Sequence, residues 1–429
     1  MRIEDTDRNR FVPGATEKIY QTLKLFSLNW DELYVQSERV KTGIYQQYAE
    51  RLVKDGHAYY CFCPTESKEQ IEASHEKKEI KLRDKCRNLT AQQAQEKIEA
   101  GIKPAIRLRI PDKETITIYD FIRKKEISWQ SQNIDEVMLL KTDGFPTYHL
   151  GVVVDDALMK ISTILRAQEW LPSAPVHALL YRYLGFKMPE VGHFSLILDP
   201  AGGKLSKRKG AVSAEEFLAQ GYLPEALLNF IMLLGWAPKD NREMFTLSDF
   251  VKEFDHGRLQ TANSIFNRKK LDWFNGYYIR QKSNIELFKL LRPFKPENMP
   301  DSLINQTIPI IKERMFKLSD FAGLTEFLIK EPKVDAALLV QKGGDIKTIG
   351  KWLTMALREL EKVKNWQAEE LEKTLRDLAA KENLHVGKFF MAVRIAITGK
   401  TATPPLFESL ALLGKQETLK RLQKINAIR

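Results

Sequence analysis

The sequence predicts an α/β fold: a parallel sheet, interrupted by an α+β insertion and followed by an all-α C-terminal half. Three patterns carry that prediction. Apolar stretches at residues 161–165 and 194–198 read as strands buried on both faces, the habit of parallel sheets. Between Ala105 and Met138 the pattern changes to alternation, in Ile106-Arg107-Leu108-Arg109-Ile110 and Thr115-Ile116-Thr117-Ile118-Tyr119, which suits strands with one solvated face. From Gly210 to the C-terminus helical signals dominate.

Taken in order, Pro13-Gly14 marks a helix start, and Ile19, Tyr20, Leu23 and Phe26 recur behind it at helical spacing. Tyr45, Tyr48, Ala49, Leu52 and Val53 repeat that pattern and stop before Gly56. The apolar and aromatic run from His57 to Cys63 suits a strand. From Thr65 to Ala100 the chain is dense in Lys, Glu, Arg and Gln, the composition of a solvated helical face. Residues from Cys61 to about Phe145 read as one insertion with a small mixed core, and the main sheet resumes after it. Ser213 and Glu216 form a capping box for a helix. Leu223, Leu227, Phe230, Ile231 and Leu234 mark one apolar helix face, and the stretch from Pro293 to Pro300 looks like a linker.

Composition narrows the function. Hydrophobic residues at 43% and charged residues at 29% describe an ordinary folded protein and argue against disorder. No apolar run approaches the roughly 18 residues of a membrane span. The longest, Leu223 to Trp236, is broken by Pro224, Glu225 and Asn229. The start is charged from Arg2 onward, unlike a secretory signal. Three cysteines are too few for a disulfide framework and point to a reducing cytoplasm. Lys and Arg number 67 against 56 Asp and Glu, and the resulting +11 favours polyanionic partners, nucleic acid first.

Two segments look chemical. Arg2-Ile3-Glu4-Asp5-Thr6-Asp7-Arg8-Asn9-Arg10 interleaves carboxylates with guanidiniums; on composition alone a solvated terminus explains it better than a site, and Asp5-Thr6-Asp7 is a weak metal signal. Asp199-Pro200-Ala201-Gly202-Gly203-Lys204-Leu205-Ser206-Lys207-Arg208-Lys209-Gly210 runs from a strand through a glycine turn into four cations. Such a loop can neutralise a triphosphate or its transition state, though a nonspecific basic patch reads equally well from the residues alone. The P-loop pattern is absent.

Read together, these segments resemble the glutamyl-tRNA synthetases, a family of class I aminoacyl-tRNA synthetases. Lys204-Leu205-Ser206-Lys207-Arg208 is similar to the family's KMSKS-type signature, and Arg2 to Asp7 to its RIEDTD segment. Pro146-Thr147-Tyr148-His149-Leu150, Val153-Val154-Asp155-Asp156 and Ile164-Leu165-Arg166-Ala167-Gln168-Glu169-Trp170-Leu171-Pro172-Ser173 resemble its central block. Leu406-Phe407-Glu408-Ser409-Leu410-Ala411-Leu412-Leu413-Gly414-Lys415 resembles its C-terminal signature, so the likeness runs from end to end.

The resemblance implies a class I Rossmann-like catalytic domain in residues 1–60 and 146–210, an acceptor-end-binding insertion at 61–145, a stem-contact region at 211–285 and a helical anticodon-binding domain at 286–429. It implies a glutamate–tRNA ligase that uses ATP and Mg²⁺ to make glutamyl-AMP and passes the glutamate to the 3′ end of tRNA-Glu. A cytoplasmic monomer with no membrane attachment is expected. By the same resemblance Arg166 pairs with the side-chain carboxylate of L-glutamate, a bidentate task that suits guanidinium. Glu4 faces the substrate ammonium, and Tyr148 lines the pocket. Lys204, Ser206 and Lys207 belong to the loop that closes on ATP, with Lys207 on the phosphates, while His193 and Leu196 lie at the adenine pocket. On the residues alone, Arg166 could equally pair with Glu169, and His193 and Leu196 could equally be core.

Three departures qualify the likeness. The strand, HIGH-type loop and helix that precede RIEDTD in the family are not in this sequence. The sheet is therefore expected to be N-terminally truncated and the chain incomplete for catalysis, as a fragment of a full enzyme. Val152 stands where the family usually carries an Asn that helps hold glutamate, and Gln168 where Glu is common. Cys61, Cys63 and Cys86 match three ligands of a zinc knuckle found in some members, but Asn88 stands where the fourth is expected. Three thiolates alone make a poor structural site, so zinc is not expected, and His75 could complete it only by unusual looping. The rivals are a catalytically inactive tRNA-binding protein derived from this family, a glutaminyl-tRNA synthetase, and an enzyme that glutamylates a modified tRNA base. A helical C-terminal half argues against both enzyme rivals, one having paired β-barrels there and the other no anticodon domain. From Thr398 onward six basic residues stand against two acidic, consistent with phosphate contact.

Overall fold

A computed structural model of the protein describes residues 1–63, 85–205, 213–343 and 345–426. The chain divides into one unit of Met1–Leu205 with Met232–Phe266 and a second of Ser206–Ile231 with Asn267–Arg429. Among the described residues no helix is long and apolar enough to cross a membrane.

The first unit holds β1 (Arg2–Ile3), β2 (Tyr34–Val35), β3 (Ala58–Cys61), β4 (Ala105–Leu108), β5 (Thr115–Asp120), β6 (Lys125–Gln130), β7 (Met138–Leu140), β8 (Thr163–Ala167), β9 (Glu190–Phe194), β10 (Ile197–Leu198) and β11 (Ser264–Ile265). The parallel pairing is present: β8 runs beside β9 with Arg166 opposite His193, β1 beside β2, and β10 beside β11. Helix Ala174–Tyr183 makes the crossover between β8 and β9, and its buried Val176, Leu179 and Leu180 explain why it lies on the sheet side of the core.

Two strand expectations need correction. The apolar run at 194–198 is broken, because β9 ends at Phe194 and the short β10 follows. The true strand is carried by Val191, Gly192 and His193, two of which give no apolar signal. Gly192 is there because an added Cβ would lie 2.8 Å from Phe121 and Ile122. The strand expected at 161–165 likewise sits two residues later, at Thr163–Ala167. Among the described residues of 61–145, the strands share their packing with the flanking segments. β3, β4 and β7 form one sheet, whereas the β5–β6 hairpin joins β9 through Asp120 opposite Val191. Ile106, Leu108 and Leu139 share a single cluster with Leu150, Val153 and Leu179. Alternation shows that one face of a strand is covered; it does not show by what.

In the second unit the Ser213–Glu216 capping box forms and starts helix Ala214–Ala219. Leu227 and Phe230 of helix Pro224–Met232 point inward, but Ile231 is 44% exposed and Leu234 lies beyond the helix end. At 100° per residue Ile231 sits about 80° around the helix from the line of Leu223, at the edge of the apolar stripe. The stretch from Pro293 to Pro300 is no linker. Met299 is 1% exposed in a cluster with Leu287, Ile304 and Phe321, and Lys295 binds Asp301 at 2.9 Å. Prolines there interrupt a helix without releasing the chain from the core.

The C-terminal helices Ile346–Lys362, Ala368–Lys381, Val386–Thr398 and Leu406–Leu413 bury Leu353, Leu360, Leu375, Phe389, Val393 and Leu410 in one core. The basic tail is largely spent within the unit. Lys415 donates to the carbonyls of Glu361 and Val363, and Lys424 pairs with Glu331. Lys420 pairs with Glu417, while buried Arg421 donates to the carbonyls of Phe327 and Ile397. Most of the cations counted from Thr398 thus have partners within the unit.

Candidate active site

The carboxyl ends of parallel strands gather the candidate residues. β1 carries Arg2, whose guanidinium reaches Glu4 Oε1 at 2.8 Å and also binds Asp156. Asp156 is buried on helix Tyr148–Leu158 and accepts from the Tyr181 hydroxyl, so the first strand is pinned to the central helix. Glu4 remains exposed. Beside it, Asp155 is wholly buried and accepts from Gln36 Nε2 at 2.8 Å, Arg39 Nε at 2.9 Å and the Tyr45 hydroxyl at 2.9 Å. Burial first, and then the Asp155 charge, push the Tyr45 hydroxyl well above the usual phenol range.

Tyr148 opens the same helix with its ring 4.6 Å from Trp170 and 5.6 Å from His177, forming an aromatic wall. Burial raises its hydroxyl pKa, while the Arg166 charge works against that rise. Arg166 ends β8, where Nε donates to His193 Nε2 at 3.0 Å and Nη1 to His177 Nδ1 at 3.0 Å. The surface ion pair with Glu169 does not form, because Glu169 pairs with Lys204. Among the described residues no carboxylate is paired with Arg166.

His193, expected at the adenine pocket, lies behind Arg166. It is 0% exposed, and both ring nitrogens are engaged, with Nδ1 at 2.8 Å from Asp120 Oδ2. Leu196 is half-buried after β9 and its backbone N–H donates to Asn263. Lys204 is exposed at the end of a turn in which Asp199 N–H donates to the Gly203 carbonyl and Ala201 N–H to Asp199 Oδ1. Gly202 and Gly203 have φ of +89° and +77°, a conformation that other residues adopt only with strain. Ser206 and Lys207 lie outside the described residues, as does His75.

Val152 packs in the core beside Leu150 and Val153, and Gln168 accepts from Arg123 at 2.7 Å. Asp5 accepts from the Ser37 N–H and approaches Arg8, and Asp7 pairs with Arg10, so among the described residues no metal ligands converge on the acidic opening. The cysteines do converge. The sulfurs of Cys61, Cys63 and Cys86 lie within 4.8 Å of one another, and the Phe62 N–H donates to Cys86 Sγ. They supply three of the four ligands that a structural zinc takes, with no fourth His, Cys, Asp or Glu joining them among the described residues.

Sequence reading missed Asp120, His149 and His177 as members of the site. Three of the chain's seven histidines meet here from separate elements, at spacings no local pattern would join. All three are held neutral at pH 7. Burial and then Arg166 lower the His149 pKa to about 4; burial, Arg166 and the other two imidazoles lower His177 well below its ordinary value. Burial also lowers His193, against the pull of Asp120. Because His149 binds a proton less readily folded than unfolded, its stabilising effect is complete above pH 6.5 and is lost as pH falls toward 4. Between pH 7.5 and pH 5 that loss is on the order of 2 kcal/mol. Urea unfolding at the two pH values should show it as part of a larger fall to which His177 and His193 add in the same direction, and His149→Gln should shrink that fall by about 2 kcal/mol; an equal pH dependence in the variant would exclude a contribution from His149.

Similarity to known proteins agrees with this geometry. The family described as "tRNA synthetases class I (E and Q), catalytic domain" matches residues 1–273, and "Anticodon binding domain" matches residues 286–426. The glutamate–tRNA ligase of Treponema denticola is 36% identical over 476 residues, spanning 100% of this chain and 92% of that protein. That of Dehalococcoides mccartyi is 40% identical over 442 residues, spanning 98% and 89%. A crystal structure of a glutamate tRNA ligase from Elizabethkingia meningosepticum, in complex with its amino acid, superimposes with a TM-score of 0.81 at 30% identity, over 99% of this chain and 92% of that one. With a parallel-sheet catalytic unit, a helical C-terminal half and full-length relatives, this chain belongs to the glutamate–tRNA ligase family of class I aminoacyl-tRNA synthetases.

Proposed function

We propose that the protein activates L-glutamate with ATP and Mg²⁺ and transfers it to the 3′ end of tRNA-Glu, acting as a cytoplasmic monomer. The observation that carries this reading is the half-buried Arg166 guanidinium, which has two imidazole acceptors and no carboxylate partner among the described residues. An unneutralised, partly desolvated cation is a receptor for a side-chain carboxylate. Glu4 takes the substrate ammonium, sharing its carboxylate with Arg2, and Tyr148 with Trp170 walls the aliphatic part. The substrate α-carboxylate then attacks the α-phosphorus of ATP and pyrophosphate leaves; a ribose hydroxyl of the tRNA attacks the acyl carbon, gives up its proton and displaces AMP. Lys204, with Ser206 and Lys207, would neutralise the phosphates, and Leu196 would flank the adenine; Mg²⁺ would travel on the triphosphate. These groups contribute by positioning and charge stabilisation. The test, on the chain supplied with the strand and HIGH-type segment that precede RIEDTD in the family, is glutamate-dependent ATP–pyrophosphate exchange in the presence of tRNA, with glutamine as the comparison. Exchange supported equally by both amino acids would reject the assignment.

For the tRNA surface, the free cations matter more than the tail count. Lys347, Lys351 and Arg358 are exposed on one stripe of helix Ile346–Lys362, at i, i+4 and i+11. Replacing all three with alanine should weaken tRNA binding about tenfold at low salt and reduce the salt slope by about two to three. Replacing Lys420 and Lys424 with alanine should change both little. Filter binding across a salt series separates the two sets, and the reverse ranking would return the contact to the tail.

A further inference from the structure

The imidazoles behind Arg166 are ordered by a chain of donors whose direction the geometry dictates. Arginine can only donate. The nitrogens that face it, His193 Nε2 and His177 Nδ1, must therefore be lone pairs. Each ring's other nitrogen then carries its proton. His193 Nδ1–H donates to Asp120 Oδ2 at 2.8 Å, and His177 Nε2–H donates to His149 Nδ1 at 3.1 Å. Asp120 is itself fixed, accepting from the backbone N–H groups of Ile122, Arg123 and His193 at 3.1, 2.9 and 3.2 Å. The guanidinium is thus gripped at Nε and Nη1, and three of its five N–H groups are left for other partners.

We propose that His193 and His177 are positioning residues that aim Arg166 at the substrate's anionic group while leaving its charge uncancelled. This rests on the reading of Arg166 as the carboxylate sensor. A carboxylate clamp would grip a guanidinium as well, but the pair would be neutral, and an incoming carboxylate would gain far less from it. Neutral imidazoles provide the grip without the compensation. Asp120 sets the His193 tautomer from one ring farther away, so its charge is not in contact with Arg166. Burial of both rings, together with the positive field of Arg166, keeps them from protonating and releasing the grip.

The test is calorimetric titration of the full chain with glutamate and with glutamine, for the wild type and for four variants. His177→Leu, close in volume and without an acceptor, should weaken glutamate binding at least about tenfold and glutamine binding about threefold or less. His177→Asn places an amide oxygen near the Nδ1 position and should recover at least half of that loss on a logarithmic scale. His177→Asp keeps the grip but cancels the charge, and should lose about tenfold for glutamate while glutamine is held. Wild-type affinity in His177→Leu, or equal glutamate affinity in the Asn and Asp variants, overturns the proposal. Arg166→Gln separates the two levels of failure: glutamate bound as in wild type rejects the sensor reading, whereas a loss there with none in His177→Leu rejects the clamp alone. Should His177→Leu not fold, the Asn and Asp comparison decides. Nitrogen-15 spectra at pH 7 give an independent reading, expected to show the Nδ1–H tautomer at His193 and the Nε2–H tautomer at His177; an imidazolium at either contradicts the clamp.

Discussion

In the chain supplied with the strand and HIGH-type segment that precede RIEDTD in the family, Arg166→Gln is expected to lower kcat/KM for glutamate at least about tenfold, to lower it far less for glutamine, and to leave the KM for ATP near its starting value. Glutamate and glutamine have almost the same volume and differ by one full charge, so discrimination must come from a charge held out of water. Arg166 is such a charge, half-buried at the end of β8, with neutral acceptors behind it. A charge-assisted pair of this kind contributes roughly 1.5–3 kcal/mol, and about 1.4 kcal/mol already corresponds to tenfold. Glutamine gains no such pair and leaves the cation partly uncompensated, so it has less to lose when the cation goes. Val152 increases the dependence on Arg166, because a buried valine supplies no amide to the substrate. Pyrophosphate exchange with tRNA present, run with both amino acids, measures the ratio. Equal losses for the two would mean that Arg166 supports the fold and does not read the substrate.

The larger effect on stability is expected at Asp155. Its carboxylate is 0% exposed and accepts from three donors, Gln36 Nε2, Arg39 Nε and the Tyr45 hydroxyl, which lies within 3.0 Å of both oxygens. Asp155→Asn keeps the size but removes the charge and turns one acceptor into a donor that faces donors. Breaking a buried pair from one side costs about 3–5 kcal/mol, since the remaining partners stay desolvated and unpaired. For a unit of this size that lowers the melting temperature by roughly 10 °C. Asp143→Asn, at an exposed loop position, is the matched control and should shift it by roughly 1 °C or less. A melting temperature for Asp155→Asn indistinguishable from the control would show that the cluster is hydrated or rearranged rather than a dry hub. Because Asp155 also ties Gln36 and Arg39 to the helix that presents Tyr148, weaker glutamate binding should accompany the loss of stability.

What the sequence determined by itself was local chemistry and order. Helical spacing located Ile44–Lys54 and the C-terminal helices, the Ser213–Glu216 pair located a helix start, and alternation located β4 and β5, because each signal depends on neighbours within a few residues. The resemblance singled out Arg166, Tyr148 and Glu4, and the structure brings them together. Tertiary structure alone decided the rest. β9 was hidden because its close approach to Phe121 and Ile122 demands a glycine, and because its central histidine serves a partner 73 residues away. The supposed linker at Pro293–Pro300 became core, and the basic tail became internal ion pairs, since composition reports which groups are present and not what they meet. His149, His177, His193 and Asp120 are scattered from residue 120 to 193 with no spacing in common. Only a parallel pairing that sets Arg166 opposite His193, with the crossover helix bringing His177 over them, makes neutral imidazoles the support of a charged arginine.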